Sequence, residues 1–125
     1  MRVSFLLESW GQIRADVAQA IEDMAGASLD FRPQDDLMSF REVAEHILEV
    51  GHWISRALVD GERDFGRPEA GQARAGYRVA IPAAASEAEL ARALRETLEA
   101  DTQWLQRQPA EFFATPGRRW DGREL

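Results

Sequence analysis

Ser39-Phe40-Arg41-Glu42-Val43-Ala44-Glu45-His46-Ile47-Leu48-Glu49-Val50-Gly51-His52-Trp53-Ile54-Ser55-Arg56-Ala57-Leu58-Val59-Asp60-Gly61 is the stretch whose reading decides the fold class. Ser39 with Glu42 at the third position after it is a capping-box signature for a helix start. Phe40, Val43, Ile47, Val50, Ile54 and Leu58 then recur at helical spacing and form one apolar stripe. Gly61 after Asp60 is a stop signal. The run predicts a helix over 40–60.

Similar patterns lie on either side. Upstream, Leu6, Trp10, Ile13, Val17, Ile21 and Met24 make a stripe of helical period, with Gly26 as a C-terminal stop and Pro33 against continuation. A helix is expected over 5–26. Downstream, Ser86 with Glu89 repeats the capping box. Leu90, Leu94, Leu98 and Leu105 form the third stripe, and Pro109 closes a helix over 86–108. Between the second and third helices lies a long loop, 61–85, punctuated by Gly66, Pro68, Gly71, Gly76 and Pro82, with a short extended piece expected at Tyr77–Ile81. A connection of that length allows a crossover along a bundle in place of a tight hairpin. The tail, 109–125, carries Phe112, Phe113 and Trp120 around Pro116 and Gly117. The expectation is one all-α domain over 1–125 with three long helices and no sheet.

The composition suits a globular chain: 45% hydrophobic and 30% charged in 125 residues. Fifteen basic residues against 22 acidic ones give a net charge of −7. Apart from Arg118 and Arg119 the basic residues are scattered, which argues against DNA, RNA and anionic membrane surfaces as partners. The sequence has no cysteine, so disulfides, thiolate metal sites and cysteine nucleophiles are excluded, and a reducing cytoplasm is the expected setting. Met1–Trp10 lacks the features of a secretory signal. No apolar run reaches membrane-spanning length.

The ordered combination of Trp10, Ile13 and Arg14, then Leu29-Asp30-Phe31-Arg32-Pro33, then Ser39 and Glu42-Val43-Ala44-Glu45-His46-Ile47 resembles the DinB/YfiT-like superfamily. The resemblance covers residues 5–60 best and 86–108 less closely. It implies an up-down four-helix bundle. In many members it implies a divalent metal held by three histidines, one on the second helix and two on the fourth. Metal-dependent thiol transferases, isomerases and hydrolases are among them. The helix-two position corresponds to His46. The sequence reaches Leu125 where the fourth helix of that plan would begin, and the helix-four histidines have no counterpart. Two readings stay open: a chain that continues, or a member without the usual metal site.

His46 and His52 are the two histidines. Six residues apart on one helix, they point about 120° apart and cannot share a metal as an i, i+4 pair does. With Val43 as zero, Ile47, Val50 and Ile54 fall within about 40°, His46 lies about 60° to the side, and His52 lies opposite. His46 is therefore expected to border the buried stripe, and His52 to face solvent. Glu42, Glu49 and Trp53 flank His46. Imidazole with carboxylate oxygens suits zinc, nickel or iron, so His46 is the candidate ligand of a divalent metal; a histidine hydrogen-bonded to a helix neighbour is the plainer reading. Asp101 falls within about 20° of the third stripe's centre. A buried carboxylate needs a partner, and an internal ion pair with Arg14 or Arg95 is expected over a ligand or acid/base role. Trp10, Trp53 and Trp104 read as core. Arg118-Arg119-Trp120 reads as a solvated turn, and Asp35-Asp36 and Glu62-Arg63-Asp64 as exposed surface.

No nucleophile elbow, phosphate loop, dinucleotide fingerprint or HExxH motif is present. Two functions compete. In one, a metal at His46, with ligands from elsewhere, acts on a small-molecule substrate. In the other, the bundle is a non-catalytic binding or assembly module. Three amphipathic helices of a four-helix plan leave an apolar groove, so a homodimer is expected. Phe112, Phe113 and Trp120 would then dock on a neighbour; the competing arrangement folds the tail over its own groove.

Overall fold

The computed structural model describes residues 3–24, 26–69, 76, 79, 81, 85–119, 121 and 123–124. The elements are α1 (Val3–Glu22), the short α2 (Gly26–Leu29), α3 (Phe40–Val59), α4 (Glu87–Gln106) and the short α5 (Ala110–Ala114). The chain is all-helical, as the three stripes predict. Among the described residues, β-structure is limited to isolated bridges of Asp64 with Arg118 and Arg118 with Glu124. No described helix is long and apolar enough to cross a membrane.

Local chemistry sets the helix ends. The Ser39 hydroxyl accepts from the Glu42 N–H at 3.2 Å while the Glu42 carboxylate accepts from the Ser39 N–H at 2.7 Å, and Ser86 and Glu89 reproduce the arrangement at α4. Each box satisfies two of the donors that a helix start leaves without intrahelical partners. Asp60 caps α3, and Gly61 follows with φ of 97°, a left-handed value that glycine adopts without strain. The first helix is shorter than expected. It ends at Glu22, where the Met24 N–H turns back to the Ile21 carbonyl in a tight i→i−3 bond, and Gly26 begins α2 instead of ending α1. Of the extended piece expected at 77–81, residues 77, 78 and 80 lie outside the described residues, as does Trp120.

α4 is the central helix. It packs on both α1 and α3, which approach one another little. The pairs His52–Asp101 and Arg56–Trp104 advance together along α3 and α4, so these two helices run parallel. Arg95 near the start of α4 pairs with Glu22 at the end of α1, so α1 runs antiparallel to α4. The end of α3 and the start of α4 therefore lie at opposite ends of the bundle. Ala18, Ile21, Leu29, Leu48, Leu90 and Leu94 anchor the core, each buried leucine contributing about 1.5–3 kcal/mol.

The stripe of α4 is its buried face: Leu90, Leu94 and Leu105 are all inside. In α1 and α3 the buried face is rotated away from the stripe. Arg14 and Ala18 of α1, and Ala44, Leu48 and Ser55 of α3, turn to the interior. Of the stripe residues, Ile21 is in the core and Val17, Met24 and Ile47 pack against it, while Leu6, Ile13 and Val43 are 48%, 64% and 40% exposed. Small and polar groups thus share the inner faces of α1 and α3 with Ile21 and Leu48.

Candidate functional site

Arg14, His52 and Asp101 bring a polar cluster into the middle of the bundle. Asp101 is fully buried and Arg14 nearly so. Asp101 Oδ1 lies 3.0 Å from His52 Nδ1 across the α3–α4 interface, and the His52 side chain retains 18% exposure. The expectation that His52 faces solvent is overturned. His52 does point away from the apolar stripe, but α4 packs on that side. The partner of Asp101 is likewise His52 and not an arginine: Arg95 is committed to Glu22, and Arg14 acts on the carboxylate through its charge.

Arg14 donates from Nη1 to the Ile47 carbonyl at 3.2 Å, bridging α1 to α3, and its guanidinium lies 5.3 Å from the centre of the Trp10 ring. It passes directly over Gly51, where an added Cβ would stand 1.9 Å from Nη1. Glycine is needed there for close approach. Arg14 Nε and Nη2 and Asp101 Oδ2 are buried without hydrogen-bond partners among the described residues. Burial lowers the Arg14 pKa, with the Asp101 charge opposing. Burial raises that of Asp101, against the pull of His52, then Arg14 and Arg56. The cluster holds charge and can hold a proton, and the nearby Ser55 hydroxyl is engaged, donating to the Gly51 carbonyl at 2.8 Å. Arg56 lies 3.6 Å over the Trp104 ring, beside His52.

His46 is elsewhere. It sits exposed on α3, with no hydrogen bond among the described residues. Its position beyond the stripe follows from the same rotation of α3. No three His, Asp or Glu side chains among the described residues converge to hold a metal ion. The described residues thus offer His46 as a single donor and not a ligand set.

A pocket of about 440 Å³ occupies the end of the α1–α3 gap, between the start of α1 and the end of α3. The tail closes it: Phe112 and Phe113 of α5 line it, so these aromatics fold onto their own bundle. Arg63 lines it too, a role the sequence conceals, because Glu62-Arg63-Asp64 reads as an exposed charge run. The three are in fact half-buried, with the Glu62 carboxylate accepting from the Arg63 and Asp64 N–H groups at 2.8 Å each. A glycine just before the run, at a helix end, is the available signal that the chain folds back there. Arg118 presents its backbone to this loop, its N–H donating to the Arg63 carbonyl at 2.7 Å. A second, larger cleft of about 710 Å³ lies between α1 and α4, bounded by Leu7, Leu98 and Phe113.

The architecture defines a helical bundle with a parallel crossover pair and one open side. The sequence model of the DinB superfamily matches residues 9–125, and the chain belongs to that superfamily. Neither the curated proteins nor the solved structures contain a match to the chain.

Proposed function

We propose that this chain is a binding and assembly module of the DinB superfamily, with the open face between α1 and α3 covered by a second copy of itself. One observation carries the reading. Ile13 on α1 and Val43 on α3 are large apolar side chains left 64% and 40% exposed, and α1 and α3 each pack mainly on α4 and little on one another. Large apolar patches left open to water are unusual on a protein that remains single. A two-fold axis is the commonest way to cover it, each copy laying one apolar edge into the other's gap. The described tail residues line the pocket, and Ile13 and Val43 remain exposed.

A second reading, a metal-dependent enzyme acting on a small molecule as a thiol transferase or hydrolase, is favoured by the exposed His46 imidazole on α3. A zinc, nickel or iron ion there would take His46 as one donor and need others from whatever covers the face. It would supply Lewis acidity.

Light scattering tests the assembly. The expected mass is twice the 14.1 kDa of one chain, falling to a single chain in Ile13→Glu while the helical circular dichroism is retained. A monodisperse mass of 14.1 kDa, unchanged as the protein is concentrated, would overturn it.

A further inference from the structure

We propose that the pocket closed by the tail binds a monocarboxylate with an apolar body, an acyl or aryl acid, and that Arg63 at its rim receives the carboxylate. This site lies at the end of the bundle where the tail packs, its lining comes from one chain, and it does not depend on the second copy.

The pocket has the size and lining of a small-molecule site. About 440 Å³ falls within the roughly 300–1,000 Å³ of ligand pockets, which are typically apolar with a few placed polar groups. Leu6 and Trp10 of α1, Ile54 and Leu58 of α3, and Phe112 and Phe113 of the tail form its walls. Its one charged lining residue is the cation Arg63. Among the described residues no carboxylate lines it to repel an anion.

Arg63 is also uncommitted. Neighbouring Arg67 pairs with Glu62, and Arg119 with Asp121. Arg63 makes no ion pair among the described residues, and its guanidinium rests 4.4 Å over the Phe112 ring. Its backbone is pinned from both sides, the N–H donating to Glu62 and the carbonyl accepting from Arg118. The arginine is thus held at the pocket with its donors available, the planar fork that suits a carboxylate. The two hydroxyls of the lining are already spent as donors: Ser55 donates to the Gly51 carbonyl and Thr115 to the Glu111 carbonyl. They offer lone pairs only, which do not favour an anion. Charge recognition therefore falls to a single cation, which matches one negative charge and not two.

Octanoate and 1-octanol separate the charge from the apolar body. By isothermal titration, octanoate saturates the wild-type chain. Arg63→Gln weakens octanoate about ten-fold, the loss of one charge-assisted contact, and leaves 1-octanol unchanged. Arg63→Lys retains the cation and keeps most of the affinity. The indole N–H resonance of Trp10, assigned with Trp10→Phe, shifts on octanoate binding, placing the ligand in this pocket. Equal octanoate affinity in wild type and Arg63→Gln, an unmoved Trp10 resonance, or the absence of saturation up to the solubility of octanoate would each overturn the proposal. Light scattering on the same samples keeps the result distinct from the assembly question, since loss of the dimer alone leaves the Arg63 dependence intact.

Discussion

His52 Nδ1 stands 3.0 Å from the fully buried Asp101 Oδ1, and this contact joins the two parallel helices α3 and α4. Burial pushes the Asp101 carboxyl above the ordinary value of about 3.9, with His52, Arg14 and Arg56 pulling it back. A carboxyl raised in the folded state gives its full stability below its unfolded value and loses it as pH rises through the folded one. The window therefore opens near the ordinary carboxyl value and runs upward. Asp101→Asn keeps an oxygen for His52 and cannot ionise, so its stability relative to wild type should rise with pH across that window. Urea unfolding at a series of pH values measures this. A difference that stays flat, or falls with pH, contradicts it.

The same contact shows what a one-dimensional reading reaches. Both capping boxes, the helix types and the burial of Asp101 are legible because they depend on neighbours within a few residues or on a helix packed from two sides. α4 is such a helix, and its stripe centre is its buried centre. For α1 and α3 the stripe misleads in part, since much of the buried face is made of Arg14, Ala18, Ala44 and Ser55, residues that a search for large apolar side chains passes over. That rotation moves His52 inward and His46 outward. The Arg63 pocket is hidden for a different reason: its walls come from both ends of the chain, and only the fold brings Leu6, Leu58 and Phe112 together.

Gly51 should tolerate no side chain without cost. Its absent Cβ is where Arg14 Nη1 lies, and Arg14 is buried and hydrogen-bonded to the Ile47 carbonyl. Gly51→Ala is expected to destabilise by about 1–3 kcal/mol, the usual range for overpacking. Arg14→Ala in the same chain removes the clash, so the double variant should lose less than the sum of the two singles. Strict additivity in denaturant titrations would show that the two residues do not meet.

The cap of α3 should carry an acid-sensitive contribution. The hydrogen bond from Arg32 foremost, then the Ser39 N–H, hold the Glu42 carboxyl below its ordinary value. A depressed carboxyl gives stability above the unfolded value and loses it as pH falls through the folded one. Glu42→Gln should therefore lie closest to wild type in strong acid and fall behind as pH rises past the carboxyl range. Ser39→Ala, which removes the acceptor for the Glu42 N–H, is expected to cost about 1 kcal/mol. A Glu42→Gln deficit that is largest in acid would contradict the sign.

The two histidines should separate metal binding from stability. His46 is exposed and makes no hydrogen bond among the described residues, so His46→Ala should change stability by no more than about 0.5 kcal/mol, as for surface substitutions generally. His52 is the hydrogen-bond partner of a buried carboxylate. His52→Ala leaves Asp101 without it, and should cost about 1–3 kcal/mol. Metal content follows the opposite order. If the purified protein carries zinc, nickel or iron on this bundle, His46→Ala should remove it and His52→Ala should retain it, because His52 Nδ1 is engaged with Asp101 and faces α4, away from the open side. Elemental analysis of the two variants, paired with their unfolding curves, gives both readings on the same samples. Metal lost with His52 and kept with His46 would reverse the assignment. A large stability loss in His46→Ala would show instead that its imidazole has a packing role.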